Sequence, residues 1–124
     1  MTLLEVQRFL DAEVLVGGNR LNLEVSSAFA ADTMSDLLSG GRAGSLLLTS
    51  MTSPQVIRTA DILEMAAILL VRGKVPSSEV VRLAAELHLP VLATRYVLLE
   101  VAGRLYEKGL RGPAEKAGGH STAD

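Results

Sequence analysis

The apolar positions of this chain change spacing along its length, and each change marks an element. In "TLLEVQRFL" the residues Leu3, Val6 and Leu10 fall on one helical face. Thr2 and Glu5 have the T-x-x-E spacing of a capping box, in which each side chain satisfies a backbone N–H of the other, so a first helix is predicted here. "AEVLVGG" follows as a strand, "GGNRLN" as a turn, and Glu24 to Ala31 as a second strand, which together predict a β-hairpin. The second strand, "EVSSAFAA", is rich in small residues and is expected to be closely covered by another layer.

Beyond it the rhythm shifts. "SLLLTS" (Ser45 to Ser50), "AAILLV" (Ala66 to Val71) and "PVLAT" (Pro90 to Thr94) are short apolar runs of the kind a strand shows when both sheet faces are covered. Between and after them the period is helical. Val80, Leu83, Ala84 and Leu87 share one face, as do Leu98, Val101, Ala102 and Leu105 in a last helix that Gly109 closes in a left-handed conformation. Strand and helix alternate three times, which predicts a single α/β domain with a mainly parallel sheet and crossover helices, preceded by a helix and a β-hairpin. The domain is expected over residues 1–110. The tail "RGPAEKAGGHSTAD", residues 111–124, loses all periodicity and is expected to be disordered.

The 124 residues are 48% apolar, enough for a real core. The twelve basic residues are scattered and the formal charge is -2, so no stripe follows a phosphate backbone and nucleic acid is not expected as a partner. Without cysteine there are no disulfides, thiolate metal sites or cysteine nucleophiles. Glu5 and Arg8 interrupt any signal-peptide core and no apolar run reaches membrane-spanning length, so a soluble, cytoplasmic protein without membrane contact is expected.

The candidate chemistry lies at the ends of the strands. In "ADTMSDLLSG" two acids flank Ser35. Asp32 is expected to cap a short helix by accepting a first-turn N–H, with Asp36 near the positive end of its dipole. His88, between a helix and a strand in "AELHLPVL", is expected to be a left-handed cap rather than a ligand. The three apolar strands end in "TSMTSP", "RGKVPSS" and "TRY". These supply Thr49, Ser50, Thr52 and Ser53, then Arg72, Lys74, Ser77 and Ser78, then Thr94, Arg95 and Tyr96. Ligands of open parallel sheets gather at the carboxyl ends of strands, and three cations among hydroxyls suit a phosphate or carboxylate. Ser53 before Pro54 and Ser77 also fit simple helix caps. No phosphate loop, G-x-G-x-x-G or serine elbow occurs, and "SGGRAGS" precedes a strand and is read as a tight connection. No cofactor, metal site or catalytic residue is assigned.

Taken together, "ADTMSDLLS", the strand "LLLTS", the strand "AAILLVRG" and "VPSSEVVRLAAELHLPVLATRY" leading to a last helix resemble the DRTGG domain family, from about Leu3 to Leu110. The resemblance implies a fold similar to the N-terminal domain of HPr kinase/phosphorylase. It implies a regulatory or assembly domain, often dimeric, of a kind found alone or attached to phosphotransacetylases and to pyrophosphatases with nucleotide-sensing modules. Asp32 and Asp36 match the family's acidic segment and Thr49 its strand-end threonine. Where the family shows Thr-Gly-Gly after the third apolar strand, this chain has "VRGKV", keeping Gly73 between Arg72 and Lys74. Stand-alone members are sometimes called serine kinases, a label that a chain without a phosphate loop does not support.

The last helix is more apolar than the family's. Leu98, Val101, Leu105 and Tyr106 are expected to form a homodimer interface, with a metabolic enzyme as another possible partner and packing of the first helix across this face as the alternative. Three functions follow in order of preference. The first is a non-catalytic, homodimeric regulatory domain sensing a small anionic, phosphate- or nucleotide-like ligand through Asp32, Ser35, Asp36, Thr49, Ser50, Ser53, Arg72, Gly73, Lys74, Thr94 and Arg95, or binding a metabolic enzyme. The second is a pure assembly domain, and the third a small enzyme using Asp32 or Asp36.

Overall fold

The structure, a computed structural model, describes residues 1–117. The first helix forms as its sequence dictates: α1 spans Leu3–Leu10 and opens on the capping box, with Glu5 N–H donating to Thr2 Oγ1 at 3.2 Å and Thr2 N–H to Glu5 Oε1 at 2.9 Å. Then come β1 (Glu13–Val16), β2 (Ser27–Ala30), α2 (Met34–Gly40), β3 (Ser45–Thr49) and α3 (Pro54–Ile62). The chain continues with β4 (Ala67–Leu70), α4 (Ser78–Glu86), β5 (Val91–Ala93) and α5 (Leu98–Glu107). The strands form one sheet of order β1-β5-β4-β3-β2, parallel from β5 to β2, with β1 antiparallel to β5.

The expected hairpin is therefore corrected: β1 and β2 lie on opposite edges of the sheet. Its turn sequence is used differently. Gly17 takes φ +94 against Pro90, where an added Cβ would lie 2.8 Å from the proline Cβ, and Gly18–Arg20 form a 3-10 turn. Residues beyond then bond to the start of α1, through Leu4 N–H to Leu21 C=O (2.9 Å), Leu3 N–H to Leu23 C=O (3.0 Å) and Val25 N–H to Met1 C=O (2.8 Å). Backbone groups that a hairpin would pair are spent on carrying the chain across the molecule.

Both sheet faces are covered, which is why β3 and β4 are apolar without alternation. Leu46, Leu48, Ala67, Leu69 and Leu92 point to one face and pack with Leu3, Val6 and Leu10 of α1 and Val101 and Leu105 of α5. Leu47, Ile68, Leu70 and Val91 point to the other and meet Leu37 of α2, Val56, Ile57 and Ala60 of α3, and Val80 and Ala84 of α4. Val101 and Leu105 are 0% and 1% exposed, so these two of the residues assigned to a dimer interface are corrected to core positions covered by α1. Leu98 is half-buried, and Tyr106 stays exposed with Val97 and Leu99.

Cover over β2 is partial: Ala28 and Phe29 are half-buried and Ala30 is exposed, with Gly40 set tightly against the Phe29 ring. His88 adopts φ +56 just past α4, Gly44 takes φ +79 in the glycine-rich connection, and Gly109 φ +100 after α5, all as expected from their positions. Residues 111–117 carry no regular element, and the rest of the expected tail, 118–124, lies outside the described residues.

Candidate functional site

Asp32 does not cap a helix. It follows β2, and Thr33 caps α2 by accepting from Asp36 N–H at 3.1 Å. The Asp32 carboxylate instead reaches across to the end of β3. There its Oδ1 accepts from Ser50 N–H (2.8 Å), Ser50 Oγ (2.9 Å) and, more distantly, Thr49 Oγ1 (3.4 Å). The Ser50 N–H holds the Asp32 carboxyl below its ordinary pKa, and the Ser50 and Thr49 hydroxyls and the charge of Arg72 act in the same direction against a smaller opposing effect of burial. The carboxylate is thus a charged clamp between the carboxyl ends of two parallel strands.

The β4 end is built on a tight turn. Arg72 and Gly73 both have positive φ, +64 and +69, and Lys74 N–H closes back on Val71 C=O at 3.3 Å. Two positive φ values in succession mark a type I′ turn, which glycine fills freely and arginine only at a conformational cost. This turn is stitched to the β5 end, since Arg72 N–H donates to Tyr96 C=O at 2.8 Å and Gly73 N–H to Thr94 C=O at 3.0 Å. Thr94 is buried, donates from Oγ1 to Leu10 C=O at 2.7 Å and accepts from Tyr96 N–H at 3.2 Å. The β5 loop is thereby fixed to the last turn of α1.

The structure sorts the sequence-selected residues. Arg72, Gly73, Lys74 and Arg95 are exposed on one edge, where the bonded loops hold them together. Among the described residues the ion pairs are Met1 amine with Glu24 and Arg104 with Glu100, so none of these three cations is paired. Thr49 and Thr94 are buried with hydroxyls engaged internally, and serve structure rather than contact. Ser50 is engaged by Asp32, while Ser35 and Asp36 are exposed on α2 and share no hydrogen bond with Asp32. Ser53 occupies the N-cap of α3 without a side-chain bond to its first turn, and that turn carries no acid; α4 by contrast has Ser77 as its cap and Glu79 in its first turn. Among the described residues no group of three or more His, Asp or Glu is placed to hold a metal ion.

Two groups escaped the sequence reading: the carbonyls of Thr94 and Tyr96 that anchor the Arg72 turn. Gly73 after an apolar run was the available signal for a turn, but nothing in side-chain pattern indicates where backbone carbonyls point.

An open α/β sheet whose strand ends carry an acid clamp at β2–β3 and a basic edge at β4–β5 is the class of domain these observations define. The DRTGG domain model matches residues 5–107, and the chain belongs to the DRTGG domain family. Among solved structures it is similar to the CBS and DRTGG domains of the regulatory region of Clostridium perfringens pyrophosphatase, complexed with the activator diadenosine tetraphosphate. That likeness has a TM-score of 0.70 at 16% identity and covers 84% of this chain and 45% of the other, so the chain spans less than half of the neighbour and shares its fold. No curated protein matches the chain. No helix among the described residues is long and apolar enough to cross a membrane.

Proposed function

We propose that this chain is a non-catalytic regulatory domain that binds a small anionic ligand, phosphate- or nucleotide-like, over the carboxyl ends of β4 and β5. The observation that carries this reading is the basic edge itself: Arg72, Lys74 and Arg95, exposed, unpaired among the described residues, and held near one another by the bonds from the Arg72–Gly73 turn to Thr94 and Tyr96. The amides of Arg72 and Gly73 are spent in those bonds, so recognition falls to the guanidinium and ammonium groups by charge-assisted hydrogen bonds. The first turn of α3, uncapped and free of acids, adds favourable dipole at the neighbouring strand end. The pyrophosphatase regulatory region that shares the fold was solved with a nucleotide activator, which agrees with such a role.

Thermal unfolding against nucleotides, phosphorylated metabolites and carboxylates tests the proposal, with an Arg72→Ala/Lys74→Ala variant alongside. A saturating rise in midpoint for one compound, lost in the variant, supports it. A flat panel overturns it and leaves the reading as an assembly domain, which exposed Val97 (55%), Leu99 (84%) and Tyr106 (58%) favour. A homodimer or a complex with a metabolic enzyme would then use these outward residues, since Val101 and Leu105 are occupied by α1.

A further inference from the structure

The sheet has two edges, and they are finished differently. On β1 the register slips between Val14 and Val16, which blunts that edge as a template for pairing. β2 runs in unbroken register with β3 from Ser27 to Ala30. Its inward groups alternate with outward ones: Ala31 N–H bonds Leu48 C=O, so Ala28 and Ala30 turn their backbone groups away from the sheet. One of these is covered. After α5 the chain turns at Gly109, buries Leu110, and brings Arg111 C=O onto Ala28 N–H at 2.9 Å. Arg111 is seated by its side chain, which lies 3.6 Å from the centre of the Tyr106 ring and donates to Tyr106 C=O at 2.6 Å. Ala30 N–H faces the same way with no backbone acceptor opposite it among the described residues.

We propose that Arg111 is a plug on the β2 edge, and that the edge it covers is a docking strip for β2 of a second copy of this chain, which pairs there when the plug lifts. The occupant follows from the strip. Ser27-Ala28-Phe29-Ala30 carries no charge to repel its own copy. Antiparallel pairing about a two-fold axis would set the small alanines against one another, and both copies would satisfy the same outward groups. The plug is held by one backbone bond and one stacked arginine, weak enough to be displaced.

The test uses the full chain and a chain ending at Leu110, each with and without Ala30→Pro; proline blocks strand pairing at an outward N–H without touching the β2–β3 ladder. In the full chain the Ala28 amide is expected to exchange with solvent at least about tenfold more slowly than the Ala30 amide. The shortened chain is expected to sediment at twice the mass of the full chain, and Ala30→Pro to restore the smaller mass. Equal exchange of the two amides in the full chain overturns the proposal, as does an unchanged mass for a shortened chain with a native amide spectrum. If shortening abolishes the native spectrum, Arg111→Gly in the full chain replaces it. Faster Ala28 exchange together with doubled mass supports the plug, whereas any other result with a native spectrum overturns it.

Discussion

Replacing Asp32 by alanine removes the acceptor for two good hydrogen bonds, from Ser50 N–H at 2.8 Å and Ser50 Oγ at 2.9 Å, and for the longer one from Thr49 at 3.4 Å. A hydrogen bond to a charged group contributes about 1.5–3 kcal/mol when sheltered. Asp32 is exposed, so water competes for its partners and the sum is discounted to about 1.5 kcal/mol, as for other solvated ionic contacts. For a domain of this length that lowers the unfolding midpoint by about 5 °C. Asp32→Asn keeps an oxygen acceptor but loses the charge, and is expected to cost about half as much. The pH dependence has a fixed sign. The folded-state pKa lies below the unfolded one, so the stabilisation is complete above the unfolded value and is lost as pH falls through the folded value. Urea unfolding of wild type and Asp32→Ala is therefore expected to differ most near neutral pH and to converge in strong acid, at and below the ordinary carboxylate range. Equal stability at pH 7 would refute the clamp, and a difference that does not shrink with acid would refute its ionic character.

Leu105→Ala is expected to cost about 2–5 kcal/mol by urea unfolding, the range for emptying a core leucine site, without changing the mass in sedimentation; a mass change without a stability loss would return this residue to an interface. Thr33→Ala should cost about 1 kcal/mol as a lost N-cap, while Asp36→Ala should cost only about 0.5 kcal/mol through the helix dipole, and the reverse order would contradict the capping geometry. Arg72→Gly should leave stability unchanged or raise it by up to about 1 kcal/mol by relieving a left-handed arginine, while weakening any anion-dependent rise in midpoint. A clear loss of stability would mean that the Arg72 side chain holds the turn.

The parts of the fold visible in the sequence were those set by local physics. The capping box at Thr2 and Glu5, the apolar runs of β3 to β5, and the left-handed positions at His88 and Gly109 follow from residue type and period, and the structure has them there. What pattern could not supply was long-range pairing. "AEVLVGG" and "EVSSAFAA" have the composition of hairpin strands, but β1 gains its partner from β5, some eighty residues on, in the register Glu13 with Ala93. The same limit explains Asp32. An acid before a short helix is a sound cap by composition, yet Thr33 occupies that position and leaves the carboxylate to bond with a strand end far along the chain. Val101 and Leu105 were misplaced for a related reason. An apolar helix face shows that it needs cover, and only tertiary structure shows that α1 provides it.

The β4–β5 edge has a geometry that bears on how any ligand would bind. α4 packs on one face of the sheet and α5 on the other, so the loops leaving β4 and β5 part in opposite directions. In open α/β sheets the gap between such diverging loops is where ligands enter and meet free backbone amides. Here the gap is bridged by Arg72 N–H to Tyr96 C=O and Gly73 N–H to Thr94 C=O, and the conformational cost of a left-handed arginine is borne to do so. An anion held above this bridge meets flexible, solvated cations instead of fixed amides, so its affinity is expected to fall steeply with added salt. A ligand whose binding resists salt would require the bridge to open, and faster exchange of the Arg72 and Gly73 amides on adding that ligand would distinguish the two modes. The turn that organises the basic edge is therefore also the barrier to a deeper site beneath it.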